Sequence, residues 1–269
     1  MKRIFIVGVA RSGTTLLQSM LASHPEIHSF PETHFFVKLP KIKLLRFFRF
    51  ISKQENQNVI NYISKNGFEN IFQYQSKYTF SKKKWAKHVF DLLDNITTHS
   101  KKNIWVEKTP LHLYYTDLIT SADNNAVFIH VVREGKDNIA SLFDASNKYP
   151  EYFRQQSLDS CINRYNKEIK MSISRINQEN HFFVKYENII KNPDKTMCGL
   201  FEKLNISYDK SVLDYKKVVS SIKNTEEKWK QNNTKDLSFS NKYNVIFNEE
   251  QKSIISQKTN NIDLSIFDD

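Results

Sequence analysis

The amino-acid sequence predicts a single α/β domain over residues 1–269, with about five mainly parallel strands flanked by helices. Three observations lead to this fold class. Short apolar runs alternate along the chain with segments of helical periodicity, as in a parallel sheet with crossover helices. The first apolar run leads through a glycine-containing turn into a helix. The length suits one domain, and neither an internal repeat nor a low-complexity linker divides the chain.

The first strand is predicted at residues 4–9, where an apolar run has the length of a buried parallel strand. A polar turn containing Gly8 and Gly13 follows, and residues 14–21 have the apolar spacing of a helix. This order is typical of a phosphate-binding loop, because the N–H groups and the dipole at the helix start both favour an anion. We therefore predict a P-loop-like fold.

The turn differs from the loop that binds ATP, which has the pattern G-x-x-x-x-G-K-[ST]. Gly8 and Gly13 keep that spacing, but Thr14 stands in place of the lysine that reaches the β- and γ-phosphates. Arg11 supplies a cation from within the turn, and Thr14 and Thr15 can donate hydroxyl hydrogen bonds. The pattern indicates a site for a tetrahedral oxyanion. A turn without a ligand is the alternative.

Residues 11–16, Arg-Ser-Gly-Thr-Thr-Leu, resemble the 5′-phosphosulfate loop of sulfotransferases that use 3′-phosphoadenosine 5′-phosphosulfate (PAPS). Residues 21–26, Leu-Ala-Ser-His-Pro-Glu, resemble the tyrosylprotein sulfotransferases. The resemblance implies that PAPS is the donor and that its desulfated form, 3′-phosphoadenosine 5′-phosphate (PAP), is a product. The donor-binding residues that it implies in this loop are Arg11, Ser12, Gly13, Thr14 and Thr15.

A short second strand is predicted at residues 26–30, followed by Pro-Glu-Thr-His-Phe-Phe at residues 31–36. This sequence is similar to the Glu-x-His-Phe-Phe segment of heparan-sulfate sulfotransferases and to the Glu-Glu-Thr segment of tyrosylprotein sulfotransferases. The carboxylate is the proposed catalytic base in those families, so the resemblance gives this role to Glu32. Neighbouring phenylalanines would raise the pKa of its carboxyl group toward a useful range. His34 is either a second proton carrier or a residue that orients the loop, and the alternative for Glu32 is an ordinary surface position.

Residues 38–100 are predicted to form a helical insertion over the sheet edge that shapes the acceptor cleft. Its first part, residues 38–49, alternates basic and apolar residues in the manner of a basic amphipathic helix. Such a helix contacts a membrane surface or an anionic acceptor in some proteins, and in others its basic face is simply solvated. Further helices are predicted at residues 58–64, 68–74 and 82–97.

Strand character returns at residues 103–110, and Glu-Lys-Thr-Pro at residues 107–110 resembles an element of glycosaminoglycan sulfotransferases. At the carboxyl end of a parallel strand, Lys108 would face the ligand crevice and stabilise negative charge on the leaving oxygen. Glu107 alternates to the other side of the strand, which favours a structural role. Phenol and steroid sulfotransferases place a catalytic histidine where Pro110 stands here. This difference favours the carboxylate-base type, with His112 as the second choice of base.

A near-continuous apolar run predicts a central strand at residues 126–132 that ends at Arg133. A helix follows from Gly135, and Ser141 stands eight positions after Arg133. Strand, arginine, turn and helical serine at this spacing resemble the 3′-phosphate site of PAPS enzymes. An arginine gives fork-like donors to a terminal phosphate, and the serine adds a hydroxyl group. Because ATP has no 3′-phosphate, this feature separates the two nucleotide hypotheses.

The last predicted strand, residues 181–185, is followed by Tyr186, which either contacts the nucleotide or caps the sheet core. Residues 224–269 are predicted to be a lid or tail, in which Lys228 and Trp229 close over the nucleotide. The remaining predicted elements are helices at residues 111–122, 152–177, 194–204 and 209–221.

The net charge of +11 permits binding to nucleic acid, to an anionic membrane surface or to an anionic small molecule. Scattered lysines and the absence of an RNA-binding motif lead us to predict no nucleic-acid partner, with peripheral membrane contact left open. Cys161 and Cys198 form no C-x-x-C pair, and no acidic metal-binding cluster is apparent, so neither a disulfide framework nor a metal is predicted. No signal peptide or transmembrane segment is evident, which leads us to expect a cytoplasmic protein. The sequence leaves the oligomeric state open.

Together these features predict in-line transfer of a sulfonate group from PAPS to an acceptor hydroxyl, with a carbohydrate as the first choice of acceptor and small molecules also considered. Glu32 would deprotonate the acceptor, and Arg11 and Lys108 would stabilise the leaving group without a metal. Arg133 and Ser141 would hold the 3′-phosphate. The alternatives are an ATP-dependent P-loop kinase and a non-catalytic module that binds an anionic polymer.

Overall fold

The computed structural model describes residues 1–39, 53–71, 75–76, 79, 81–218 and 238–268. Within these residues five parallel strands form one sheet in the order β2-β3-β1-β4-β5. The strands are β1 (Lys2–Gly8), β2 (Ile27–Phe30), β3 (Ile104–Lys108), β4 (Val127–Val132) and β5 (His181–Lys185). The predicted α/β class with a parallel sheet is confirmed.

Helices connect the strands and cover both faces of the sheet. The α-helices are α1 (Thr14–Ala22), α2 (Lys53–Lys65), α3 (Lys82–His99), α4 (Thr116–Ala122), α5 (Gly135–Lys148), α6 (Pro150–Phe153), α7 (Leu158–Ile173), α8 (Tyr186–Lys191), α9 (Pro193–Lys203), α10 (Lys242–Ile246) and α11 (Glu249–Thr259). Shorter 3-10 helices lie at Pro110–Tyr115, Lys210–Lys217 and Ser265–Phe267.

The central strand β1 lies between β3 and β4, and Ile4 pairs with Val106 on one side and with Val127 on the other. Successive side chains of a strand point to opposite faces of the sheet. Ile4 and Ile6 therefore join the core beneath α1 and α9, whereas Phe5 and Val7 join the core on the other face. Because all five strands run parallel, their carboxyl ends and the loops that follow them meet at one edge.

Aromatic packing fills the face that carries Phe5. Its ring centroid lies 5.1 Å from that of Trp105 and 5.7 Å from that of Phe128. Helix α3 covers this face with Trp85 and Phe90, which are both buried. The apolar stripe of α3 thus packs on β3, with Phe90 reaching Phe5 of β1 at 6.0 Å between ring centroids.

Several predicted helices have different bounds or different geometry, among them residues 209–221, which contain a 3-10 helix at Lys210–Lys217. The predicted helix at residues 152–177 is two helices, because Arg154 adopts φ +52° and Ser157 caps α7 by accepting a hydrogen bond from the Ser160 amide at 3.2 Å. The first part of residues 111–122 is a 3-10 helix that begins at Pro110. Of the predicted helix at residues 68–74, the described residues 68–71 contain turns and no helix.

The described part of the predicted lid or tail, residues 238–268, packs on α5 and α7. Phe247, Ile255 and Phe267 belong to the same buried cluster as the facing side chains of these helices. Lys228 and Trp229 lie outside the described residues, as do residues 40–49 of the predicted basic helix. None of the described helices is long and apolar enough to cross a membrane.

A buried histidine pair links β4 to β5. His130 is fully buried, and its Nε2 lies 2.8 Å from Nδ1 of His181. Burial, and then the neighbouring His181, lower the pKa of His130. The folded protein therefore holds His130 neutral, and unfolding takes up a proton below the ordinary histidine pKa of about 6.5. The contribution of His130 to stability is complete above about pH 6.5 and falls, by about 1.4 kcal/mol per pH unit, as the pH drops toward the lowered folded pKa.

We expect His130→Gln to reduce this dependence of the free energy of unfolding on pH, measured by urea denaturation at about pH 7 and about pH 5. The control is His99→Gln, which changes an exposed histidine at the end of α3 and should keep the wild-type slope. An unchanged slope in His130→Gln would show that another group takes up the proton.

Candidate active site

The turn between β1 and α1 has a backbone that few residues can adopt. Gly8 has φ +138°, Arg11 +70° and Gly13 +94°. A Cβ atom on Gly8 would lie 2.6 Å from the carbonyl oxygen of Val131 on the neighbouring strand, so only glycine fits there. No side chain caps α1 among the described residues, and the first N–H groups of any α-helix lack intrahelical acceptors. The positive end of α1 therefore opens onto the edge of the sheet.

Side chains from two other helices hold this turn, and the sequence analysis did not identify them. Asn138 is buried and donates from Nδ2 to the carbonyl oxygen of Ala10 at 3.0 Å and to Oγ of Ser12 at 2.9 Å. Glu168 accepts a hydrogen bond from the Ala10 amide at 3.4 Å. The spacing of Asn138, one helical turn before Ser141 on the same face, is the signal that points to it.

Ser12 differs from its predicted role as a donor of hydrogen bonds to the ligand. Its amide donates to the carbonyl oxygen of Val9 at 3.2 Å, and its hydroxyl group accepts from Asn138. Ser12 is also fully buried. Its polar groups therefore close the turn, whereas the amides of Gly13, Thr14 and Thr15 lie at the open helix start.

The structure brings together four of the predicted nucleotide-binding side chains. Arg133 donates from Nη1 to the carbonyl oxygen of Arg11 at 3.0 Å, and Arg11 donates from Nε to Oγ of Ser141 at 3.4 Å. The guanidinium carbon of Arg133 lies 4.3 Å from the ring centroid of Tyr186. That ring lies against Gly13, where an added Cβ would come 2.3 Å from Cδ2 of Tyr186. Tyr186 is thus part of this cluster and begins α8 directly after β5.

The charges in this cluster favour an anion. Burial, and then the nearby Arg133, lower the pKa of the Arg11 guanidinium, which shows that the two cations repel each other. Within the described residues, Nε of Arg133 is buried and has no hydrogen-bond partner. An anion that accepts hydrogen bonds would relieve both the repulsion and the unmade hydrogen bond.

Glu32 and Lys108 form an ion pair at the carboxyl ends of β2 and β3. The Lys108 side chain is 1% exposed and that of Glu32 is 14% exposed. His34 lies on the outer side of Glu32, with 3.1 Å between its Nε2 and Oε2 of the carboxylate. Contact with a cation favours the ionised carboxylate, the form that can accept a proton. Phe35 and Phe36, the phenylalanines that follow in this loop, are buried members of the core cluster.

Glu107 lies on the other side of β3 and is 1% exposed, in agreement with its predicted structural role. Its carboxylate accepts hydrogen bonds from the amide and hydroxyl groups of Thr33 at 3.0 and 3.1 Å and from Nδ1 of His112 at 2.9 Å. Burial raises the pKa of Glu107, but His112 and these hydrogen bonds together hold the pKa below its ordinary value. The second-choice base His112 is fully buried, so its proposed role as a base is wrong.

The described part of the chain contains no group of three or more His, Cys, Asp or Glu side chains that could hold a metal ion. The predicted catalytic and nucleotide-binding residues that the structure describes all lie at the carboxyl edge of the sheet. Ligands of parallel α/β sheets bind at this edge.

Comparison with known proteins agrees with this arrangement. Residues 3–210 match the sequence model of the sulfotransferase family. The chain belongs to the sulfotransferase family. This is a family of group-transfer enzymes, and the family predicted from the loop sequence is confirmed.

Curated relatives of this sulfotransferase-family chain are named protein-tyrosine sulfotransferases. Protein-tyrosine sulfotransferase 2 of Gallus gallus is 26% identical over 223 residues, which are 81% of this chain and 55% of the relative. Protein-tyrosine sulfotransferase 1 of Danio rerio is 26% identical over 222 residues, which are 81% of this chain and 57% of the relative. The chain spans little more than half the length of these relatives.

Solved structures share the fold at lower sequence identity. The sulfotransferase domain of the Synechococcus PCC 7002 olefin synthase superimposes with a TM-score of 0.62 at 17% identity and covers 98% of this chain and 96% of its own. Mouse sulfotransferase SULT7A1, solved in complex with PAP, gives a TM-score of 0.57 at 15% identity and covers 98% of this chain and 86% of its own. These similarities support the sulfotransferase fold of the chain.

Proposed function

We propose that this protein transfers a sulfonate group from PAPS to an acceptor hydroxyl group. The observation that carries the proposal is the placement of two different groups of side chains at one sheet edge. One is the anion-binding cluster of Arg11, Arg133 and Ser141, and the other is the ion pair of Glu32 with Lys108. Transfer from PAPS to a hydroxyl group needs a nucleotide site beside a general base, and these two groups of side chains would supply both.

The described residues fit a nucleotide that carries phosphate groups at both ends of its ribose. The uncapped start of α1 and the amides of Gly13, Thr14 and Thr15 would hold the 5′ end. Arg133, whose buried Nε lacks a partner within the described residues, and Ser141 would hold the 3′-phosphate. When bound, PAPS supplies the sulfonate group that is transferred.

Glu32 is proposed as the general base that takes the proton from the acceptor hydroxyl. Its carboxylate is accessible, whereas the other carboxylate of this region, Glu107, is closed off by its donors. Lys108 pairs with the Glu32 carboxylate and supplies a positive charge that stabilises the oxygen of the departing group. His34 orients Glu32 from the solvent side.

For the acceptor, we propose a tyrosyl hydroxyl group of a protein or peptide, with a carbohydrate hydroxyl as the second candidate. The names of the curated relatives favour tyrosine, although those relatives are about a quarter identical to this chain. The sequence resemblance to heparan-sulfate sulfotransferases at Glu32 and at Lys108 favours the carbohydrate. Both acceptors present a hydroxyl that a carboxylate base can deprotonate.

Transfer of radiolabelled sulfonate tests the proposal directly. The protein is incubated with ³⁵S-labelled PAPS and either tyrosine-containing peptides or desulfated glycosaminoglycan chains. The matched peptide control carries phenylalanine in place of tyrosine. We expect label on one acceptor class and none on the control. Labelling of neither class, or phosphate transfer from Mg-ATP to the same acceptors, would contradict the proposed reaction.

A further inference from the structure

We infer that Glu107 is a positioning residue that fixes the loop carrying Glu32, so that the base meets Lys108 in a single orientation. The inference rests on the proposed function, in which Glu32 is the catalytic base. Glu107 does not itself reach the acceptor side, because it is 1% exposed and its carboxylate is enclosed by donors.

Two consecutive residues of β3 form hydrogen bonds with two consecutive residues of the loop after β2. Glu107 accepts hydrogen bonds from the amide and the hydroxyl group of Thr33, and Lys108 donates to the carboxylate of Glu32. Because neighbouring side chains of a strand point to opposite faces, the two contacts approach the loop from opposite sides. The hydrogen bonds therefore fix the backbone of the loop at the residue next to the base.

The same carboxylate also supports the next residue of the loop. Thr109 donates its hydroxyl group to Glu107 and accepts a hydrogen bond from the amide of His34 at 3.3 Å. His34 has φ +53°, a conformation that costs non-glycine residues of the order of 1 kcal/mol and persists only where the surroundings enforce it. The hydrogen bond to Thr109 helps to hold His34 in this conformation, and His34 in turn contacts Glu32.

His112 binds the Glu107 carboxylate from the buried side of this network. Its Nδ1 donates to Glu107 at 2.9 Å, and its ring centroid lies 4.9 Å from that of Phe36, which belongs to the same loop. Both His112 and Phe36 are nearly or fully buried. The carboxylate of Glu107 thus accepts hydrogen bonds from four donors, which belong to the loop and to the chain that follows β3. A neutral amide in its place would still accept through its one oxygen, but more weakly, and its N–H group would replace the second acceptor.

The test uses three variants and three measurements. Glu107→Gln removes the charge, Thr33→Val removes one donor with little change of shape, and Thr33→Ser keeps that donor. Because a displacement of about 1 Å at a reacting group can cost about 100-fold in rate, we expect Glu107→Gln to lower kcat by about 10-fold or more. Thr33→Val should show a smaller loss, and Thr33→Ser should retain a kcat within about twofold of wild type. The KM for PAPS and the Kd for PAP should change by less than about twofold in all three.

Hydrogen exchange of the peptide that covers residues 31–36 gives a readout that does not depend on the acceptor. Exchange should be faster in Glu107→Gln and in Thr33→Val than in wild type, because the neutral acceptor in the first and the lost hydroxyl contact in the second both weaken the hydrogen bond of the residue 33 amide. The control for general destabilisation is Asp94→Asn. Asp94 accepts hydrogen bonds from Arg3 and Trp105, far from the carboxyl edge of the sheet.

Asp94→Asn should lower the unfolding midpoint but keep wild-type kcat and wild-type exchange at residues 31–36. Equal effects of Asp94→Asn and Glu107→Gln on kcat, or wild-type kcat and exchange in Glu107→Gln, would overturn the inference. Should Glu107→Gln fail to fold, a Thr33→Val protein with wild-type kcat and exchange would overturn it. A wild-type protein that transfers no sulfonate would instead count against the proposed function, and the exchange comparison would still decide the positioning role.

Discussion

Replacing Glu32 with glutamine is expected to lower kcat for sulfonate transfer by about 100-fold or more, the usual contribution of a general base. The amide keeps the shape of the side chain and can still accept a hydrogen bond from Lys108, but it cannot take a proton. Steady-state transfer from PAPS, measured well below the unfolding midpoint of the variant, provides the value. Nucleotide affinity should remain within about twofold, because Glu32 lies outside the cluster of Arg133 and Ser141.

The matched control for this experiment is Glu26→Gln, which changes an exposed glutamate just before β2 and should keep wild-type kcat. Full activity in Glu32→Gln would assign the proton transfer to another group. His34, which lies 3.1 Å from the Glu32 carboxylate, would then be the next residue to replace.

Replacing Arg133 with alanine is expected to weaken PAP binding by about 10- to 150-fold. This range corresponds to the loss of a hydrogen bond to a charged group, about 1.5–3 kcal/mol. Arg133 is 6% exposed, and its Nε has no partner within the described residues, so a bound 3′-phosphate would meet a desolvated and unsatisfied donor. Isothermal titration with PAP and with ADP, which lacks the 3′-phosphate, separates this effect from a general one.

Affinity for ADP should fall much less than affinity for PAP in this variant. Ser141→Ala should follow the same pattern with a smaller loss, up to about 10-fold, because a neutral hydroxyl contributes about 0.5–1.5 kcal/mol. Lys195→Ala serves as a control, since it removes an exposed cation on α9. Equal losses for PAP and ADP would mean that Arg133 acts only through its hydrogen bond to the Arg11 carbonyl group.

Much of the fold could be predicted from the sequence because parallel strands buried on both faces are apolar throughout. The apolar runs that became β1 and β4 stand out for this reason, and the turn from Gly8 to Gly13 marks the start of α1. The break between α6 and α7 could not be predicted from the sequence. Arg154 adopts a positive φ there, and the position is not occupied by glycine or asparagine, the residues that usually indicate such a backbone. The packing of segment 238–268 was not predicted, because the side chains that pack against α5 and α7 are interspersed with polar residues in its sequence.

The candidate site was predicted unevenly. Residues that resemble family motifs, such as Arg11, Glu32, Lys108 and Arg133, could be placed at one edge because they follow parallel strands. The residues that support them could not. Glu107 and Thr33 are 74 positions apart in the sequence, and Asn138 and Ser12 are 126 positions apart. Contacts between residues so far apart produce no local sequence pattern from which they could be predicted.

The most direct test of the central claim is thermal unfolding of the protein with PAP, with ADP and with Mg-ATP. A ligand at about 100 times its Kd stabilises the folded state by about 2.7 kcal/mol, which raises Tm by several degrees in a chain of this size. We predict such a shift with PAP and a much smaller one with ADP or Mg-ATP, because PAP is the one of the three nucleotides that carries the 3′-phosphate proposed to bind Arg133 and Ser141. A shift of Tm with Mg-ATP but not with PAP, or with none of the three nucleotides, would contradict the account.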